Sequence, residues 1–355
     1  MSTESKALLK SFDNDGLPVF GLNRLRKRYR RLFADMINSG ELRLEKVTAC
    51  PCGNARFVNI SNKDRFGLPF HTKICAGCGL ICTDPRLSEG SMERYYREVY
   101  YPLVLGIPPG AAAGNIVSET QGEVIFSLTA PFVDMAKGPL RVLEIGCAGG
   151  ENLKRLSEMM GQRGAACILY GTEYEEYNAV LAGEKGVNLI RGGIEEACTQ
   201  GMKFDIVILS HVLEHIPDLN AFLARVRESL DEQGVLFVEV PGVNNTEMLS
   251  GGWYMNYVDY TVHSHVYNFN LASLRHILEL NGFELAIGDE FVRAVFRVSG
   301  KESAAPDCSS NCESVLHYLE NVLPENNHRP GSIYGLLRRR LKRAYYGKLR
   351  FHADY

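Results

Sequence analysis

The chain has no apolar run that approaches the ~18 residues of a membrane-spanning helix, and its first ten residues lack the apolar core and small-residue cleavage site of a secretory leader. Neither an integral membrane protein nor an exported one is expected, and the expected compartment is the cytoplasm. An excess of charge of one sign is also missing: 39 Lys and Arg stand against 42 Asp and Glu, for a net charge of -3. That balance gives no overall attraction to nucleic acid, although basic residues gather near both ends. Internal repeats are absent, and so is a complete Gly-x-Gly-x-x-Gly fingerprint.

What is present is an ordinary globular composition, 45% hydrophobic and 23% charged over 355 residues. With domains of about 150 residues, this length holds one large α/β domain and a smaller module. Ten cysteines in a reducing compartment do not make a disulfide framework, so clustered ones read as metal ligands and scattered ones as core.

The expected division assigns residues 1–45 to a basic helical segment, 46–100 to a cysteine-rich module and 101–117 to a Pro/Gly/Ala linker. Residues 118–300 form the main domain, and 301–355 a basic helical tail. In the first segment, basic residues interleave with apolar ones over 21–38, the pattern of an amphipathic helix. In the tail, the basic stretch 332–350 suits an anionic membrane surface or a protein partner, and equally a solvated helix. The linker, rich in Pro and Gly from 101 to 115, predicts no regular structure.

From residue 140 onward apolar runs alternate with helical patterns, which predicts a parallel sheet covered on both faces. The candidate strands are 140–145, 168–173, 188–191, 204–210 and 235–240. A helix capped by Asp218 follows Pro217, another spans 271–281 before Gly282, and two more apolar runs cover 283–287 and 292–298.

The first of these strands runs into Glu144-Ile145-Gly146-Cys147-Ala148-Gly149-Gly150 and then a helix, which points backbone N–H groups at a ligand. The second strand ends at Gly171-Thr172-Glu173, and a carboxylate there can accept hydrogen bonds from both hydroxyls of a ribose. Residues 142–150 resemble the first motif of class I S-adenosylmethionine-dependent methyltransferases, and Glu173 matches their ribose-binding acid. Segments 191–195, 204–215 and 234–241 resemble the adenine loop, fourth-strand motif and fifth strand of that family. The resemblance implies a Rossmann-like α/β sheet with helices on both faces, and S-adenosylmethionine as cofactor. By it, Glu144 orients the cofactor's amino-acid end and Gly146, Cys147 and Gly150 line it. Tyr174 and Ile194 flank adenine, and Ser210 and His211 lie in the strand motif beside the cofactor. His211, Glu214 and His215 are read as pocket packing rather than a metal cluster.

Cys50-x-Cys52 and Cys75-x-x-Cys78, each pair followed by glycine, offer four thiolates for a tetrahedral, structural Zn2+. The first pair is one residue tighter than usual, so Cys82 or His71 stand as alternative ligands, and buried free thiols as the alternative to zinc. The stretch through Asp84, Pro85, Arg86, Tyr95, Tyr96 and Tyr100 resembles the zinc module of a methyltransferase group that includes deoxysugar C-methyltransferases. That resemblance implies a sugar or other small-molecule acceptor, with His265 as catalytic histidine. Ser264 stands where that group carries glutamate, and the group's long C-terminal domain is not seen, so transfer to a hydroxyl is expected. His263, His265 and Tyr96 are the candidate catalytic residues, with simple packing as the alternative for each. Trp253, Tyr254, Tyr257 and Tyr260 read as an aromatic wall for a sugar ring or as a packed lid. Two other functions remain open: an RNA methyltransferase that uses the zinc module for recognition, and a cofactor-binding scaffold without catalysis.

Overall fold

The computed structural model describes residues 7–8, 12–109, 121–199, 201–244, 257–299 and 307–322. Trp253, Tyr254 and the basic stretch 332–350 lie outside the described residues. The chain forms two compact units, one from 1–112, 243–268 and 308–355, the other from 113–242 and 269–307.

The first unit opens with α1 (Arg24–Asn38), capped where the Asn23 side chain accepts the Arg26 backbone N–H at 2.9 Å. The expected basic amphipathic helix is present. Its buried face carries Tyr29, Phe33, Met36 and Ile37 at helical spacing. Phe33 is fully buried against Phe70 and Tyr95, a burial worth about 1.5–3 kcal/mol. After β1 (Leu44–Glu45) come β2 (Phe57–Ser61), β3 (His71–Cys75) and β4 (Ile81–Asp84), an antiparallel meander, and then β5 (Arg86–Leu87), which pairs with β1.

Next is α2 (Glu89–Tyr95), which passes directly into a wider π-helical run, Tyr96–Leu105. This corrects the expectation of irregular structure from residue 101. Pro102 lies inside the run, whose buried Val99, Leu103 and Val104 join the core of α1. Packing of these apolar residues outweighs the loss of one N–H donor at proline.

The second unit is built on seven strands. After α3 (Gln121–Thr129) come β6 (Leu140–Ile145), α4 (Glu151–Gln162), β7 (Cys167–Glu173), α5 (Glu176–Glu184), β8 (Asn188–Arg191), α6 (Ile194–Thr199), β9 (Phe204–Ser210), α7 (Leu219–Ser229) and β10 (Leu230–Glu239). Back in the first unit, β11 (Tyr267–Asn268) adds to the edge of β4. The second unit resumes with a helix, Leu271–Leu280, then β12 (Phe283–Gly288) and β13 (Arg293–Val298).

The large sheet has the order β12-β13-β10-β9-β6-β7-β8. Its five strands from β10 to β8 are parallel, and β13 is antiparallel between β10 and β12. All seven residues of β9 but the last are buried, as expected for a strand covered on both faces. The architecture is the expected Rossmann-like α/β sheet. Crossovers reverse on either side of β6, so the carboxyl ends of β6 and β9 flank a topological switch point where ligands bind.

Candidate functional site

The turn after β6 is held open by its backbone. Gly146 and Gly150 have φ of 68° and 78°, and Ala148 also adopts a left-handed conformation at 46°, which costs a non-glycine residue on the order of 1 kcal/mol. The Gly146 N–H donates to Thr172 Oγ1 at 3.1 Å and the Cys147 N–H to the Thr172 carbonyl at 2.9 Å. Lys185 Nζ donates to the Gly149 carbonyl at 2.7 Å and pairs with Glu151 at 3.1 Å, tying the turn to the end of α5.

Glu144 closes β6. It is 2% exposed, and Asn152 from the first turn of α4 donates to its Oε1 at 2.7 Å. Its Oε2 is buried without a hydrogen-bond partner, as is Asn152 Oδ1. Burial pushes the carboxyl up to about 8. A buried acid with an unmet oxygen fits an incoming cation, since the charge it avoids alone becomes favourable in a pair. Cys147 is buried at the foot of the turn, beside a position where any side chain at Gly171 would collide with its sulfur. Burial raises its thiol well above the ordinary value, so it serves as an apolar wall.

Glu173, at the end of β7, is turned by two backbone donors, the N–H groups of Tyr174 and Glu175, both 2.8 Å from Oε1. Burial raises its carboxyl, and these N–H groups oppose the rise. Tyr174 is 82% exposed, and a Cβ built on Gly193 would lie 2.9 Å from its hydroxyl. The ring therefore stands over the Gly192–Gly193 loop, next to buried Ile194.

At the end of β9, Ser210 Oγ lies 3.4 Å from Glu239 Oε2, and Gln121 Nε2 also donates to that carboxylate. His211 has φ of 56° and donates its backbone N–H to the Glu239 carbonyl at 2.9 Å. Its half-exposed ring points Nδ1 at buried Glu214, 3.5 Å away. Burial lowers this imidazole, and the Glu214 carboxylate more than restores it, for a net rise. All nine residues expected to bind the cofactor thus belong to this unit, on the turns after β6, β7, β8 and β9. Asn152, Lys185 and Glu239 were not foreseen; they act through side chains that meet only once the strands are aligned.

The first unit holds the other two groups. Cys50, Cys52, Cys75 and Cys78 bring their four sulfurs within 4.8 Å of one another, with Cys50 to Cys78 and Cys52 to Cys75 at 3.6 Å. Tetrahedral zinc with Zn–S near 2.3 Å requires sulfurs about 3.8 Å apart, so the donor set fits. The tight Cys50-x-Cys52 pair completes it without Cys82 or His71. Hydrogen bonding with Cys50 pulls Cys52 down to about 7 and lowers Cys75 further. Asn311 Nδ2 donates to the Cys78 carbonyl at 2.8 Å, a brace from the helix Asn311–His317.

His263 is 1% exposed, with Nδ1 2.7 Å from Asp64 and Nε2 2.8 Å from the Tyr95 hydroxyl. Both nitrogens are engaged in the core. His265 is only partly buried; its N–H donates to Val262 and its carbonyl accepts from Thr83 Oγ1 at 2.7 Å. Tyr96 is half-buried, its ring 4.9 Å from that of Tyr100. Tyr257 and Tyr260 are buried, Tyr257 against Phe12, so neither supplies an exposed aromatic wall.

Residues 117–286 match the model of a methyltransferase domain. That stretch of the chain is similar to methyltransferase domains. The match spans a little under half of the chain and takes in strands β6 to β10 of the second unit. Over 105 residues the domain is 35% identical to a ubiquinone biosynthesis O-methyltransferase of Azorhizobium caulinodans, covering 28% of this chain and 39% of that one. A protein of the same description from Chelativorans sp. is 36% identical over the same length, with the same coverage. The chain thus spans about two fifths of the length of the curated relatives it matches. Among solved structures, magnesium protoporphyrin IX methyltransferase from Synechocystis PCC 6803 is 19% identical, with a TM-score of 0.39 over 59% of this chain and 98% of that one. No described helix is long and apolar enough to cross a membrane.

Proposed function

We propose that this chain transfers a methyl group from S-adenosylmethionine to a hydroxyl of a small molecule, a sugar or sugar nucleotide being the leading acceptor. The observation that carries the reading is the buried, unmet oxygen of Glu144 in a glycine turn that faces a ribose-type acid, Glu173. S-adenosylmethionine supplies an electrophilic methyl group when bound. Glu144 would pair with its ammonium, Glu173 would accept its ribose hydroxyls, and Tyr174 and Ile194 would flank its adenine. Gly146, Cys147, Gly150, Ser210 and His211 would line the remainder.

Displacement at a methyl carbon needs alignment and exclusion of water more than acid–base power. A hydroxyl acceptor also has to lose its proton, and His265 is the proposed base; His263 has no free nitrogen for that role. The relatives named as O-methyltransferases support an oxygen acceptor, and the resemblance of the cysteine module supports a sugar. Cys50, Cys52, Cys75 and Cys78 would hold zinc as a structural ion, since four thiolates leave no open position.

The test is a mass-spectrometric search for a gain of one methyl group in sugar nucleotides, phenolic acceptors and RNA, with binding of labelled cofactor measured alongside. Methylation in the first two pools is expected. Labelled cofactor that fails to bind a folded chain would refute the proposal. His265→Ala is expected to leave cofactor binding intact and lower turnover by about 100-fold.

A further inference from the structure

We propose that Asp64, His263 and Tyr95 form a positioning relay that sets the turn bearing His265, an inference that rests on His265 serving as the base. The three residues lie far apart in sequence and meet in the core of the first unit. Asp64 Oδ1 accepts the backbone N–H groups of Phe66 and Leu68, each at 2.9 Å, and its Oδ2 lies 2.7 Å from His263 Nδ1. A carboxylate at Nδ1 places the ring proton on that nitrogen, so Nε2 is left to accept from the Tyr95 hydroxyl at 2.8 Å. Burial pushes the Tyr95 phenol far above its ordinary value, which keeps it a neutral donor.

The His263 ring also packs against two apolar rings that touch each other, Phe33 and Phe70, 5.8 Å apart. It stacks on Phe33 at 4.6 Å and on Phe70 at 5.0 Å, with interplanar angles of 24° and 30°. One orientation satisfies both hydrogen bonds and both stacks. Two residues on, His265 leaves the core, and its backbone is strapped on both sides. Its N–H donates to Val262 at 2.9 Å, Thr83 Oγ1 reaches its carbonyl, and the Thr83 N–H donates to the Val266 carbonyl at 3.0 Å. The inward histidine fixes where the turn begins and β4 fixes where it ends. His265 is displayed between these two restraints. A displacement of about 1 Å at a reacting group costs on the order of 100-fold in rate, so a relay that removes this freedom has a direct catalytic use.

Tyr95→Phe removes one hydroxyl and keeps the ring. His263→Gln keeps an acceptor for Tyr95, whereas His263→Leu keeps neither bond. Amide hydrogen exchange of the full chain reads the backbone at Thr83 and His265, and ring 15N–1H spectra of histidine-labelled protein read the side chains. Wild type is expected to show a protected His263 Nδ1 proton. In Tyr95→Phe, exchange at His265 and Thr83 should rise about tenfold while β2 and β3 keep wild-type protection, and His263→Gln should retain more protection than His263→Leu. Unchanged exchange at His265 in Tyr95→Phe, or a rise spread equally over β2 and β3, overturns the relay. The base assignment fails separately, if His265→Ala turns over its acceptor at the wild-type rate.

Discussion

Glu144 is the buried acid on which the proposed cofactor site depends. Its carboxyl titrates near 8, above the ~4.3 of an exposed glutamate. Between those values the folded, unliganded chain holds a proton that the unfolded chain has released, so Glu144 makes the fold less stable as pH rises through this window. A cationic ligand reverses the preference and expels that proton. Cofactor affinity should therefore rise between pH 6 and 8, by up to about tenfold per unit, and Glu144→Gln should flatten the dependence. Calorimetry in buffers of differing ionisation enthalpy measures the released proton directly. At Glu173 the prediction is simpler. Glu173→Ala removes a charged acceptor for two hydroxyls, each worth about 1.5–3 kcal/mol, and should weaken cofactor binding by at least 100-fold in a titration. The histidines show what single residues conceal: His263 and His265 read alike in sequence, and Asp64 and Tyr95, distant along the chain, mark His263 as the one held in the core while His265 is only partly buried.

Among the elements, those buried on two faces were the most legible. Strands β6 and β9 span the residues expected, because their apolar runs suit a covered parallel sheet, and the short edge strand β8 also has the expected bounds. The helix through Leu105 was illegible, since its proline argues locally against it and only contact with α1 makes it favourable. The helix Asn311–His317 lies within the tail expected to be helical, but its reach to the cysteine cluster was not foreseen. A Cβ on Gly79 would fall 2.4 Å from Asn311 Nδ2, so the knuckle and this helix fit closely. Partners behind the ligands orient metal sites and commonly contribute 10–100-fold in affinity. Asn311→Ala should speed zinc release to a colorimetric chelator by about tenfold, with the zinc content of the untreated protein unchanged.

At the scale of the whole molecule, the two units each have a core and each a ligand of their own in the proposed function. Saturating cofactor at 100 times its Kd adds about 2.7 kcal/mol to the state that binds it. S-adenosylhomocysteine should therefore slow amide exchange at the turns after β6 and β7, and zinc chelation should accelerate it in β2, β3 and β4. Hydrogen-exchange mass spectrometry distinguishes the two responses, and a chelator effect confined to the turns after β6 and β7 would contradict the assignment of zinc to the cysteine cluster.

The amino-acid order alone determined the parallel sheet, its glycine turn and its two acids, because these depend on runs and spacings within about thirty residues. It also marked the four cysteines. Tertiary structure alone decided that residues 243–268 join the N-terminal segment, that β11 completes the sheet beside β4, and that His263 lies in the core. Those outcomes depend on hydrogen bonds and packing between residues nearly 200 positions apart, and no local pattern encodes them. The glycine turn was legible for the opposite reason: its left-handed backbone follows from the glycines in the local sequence.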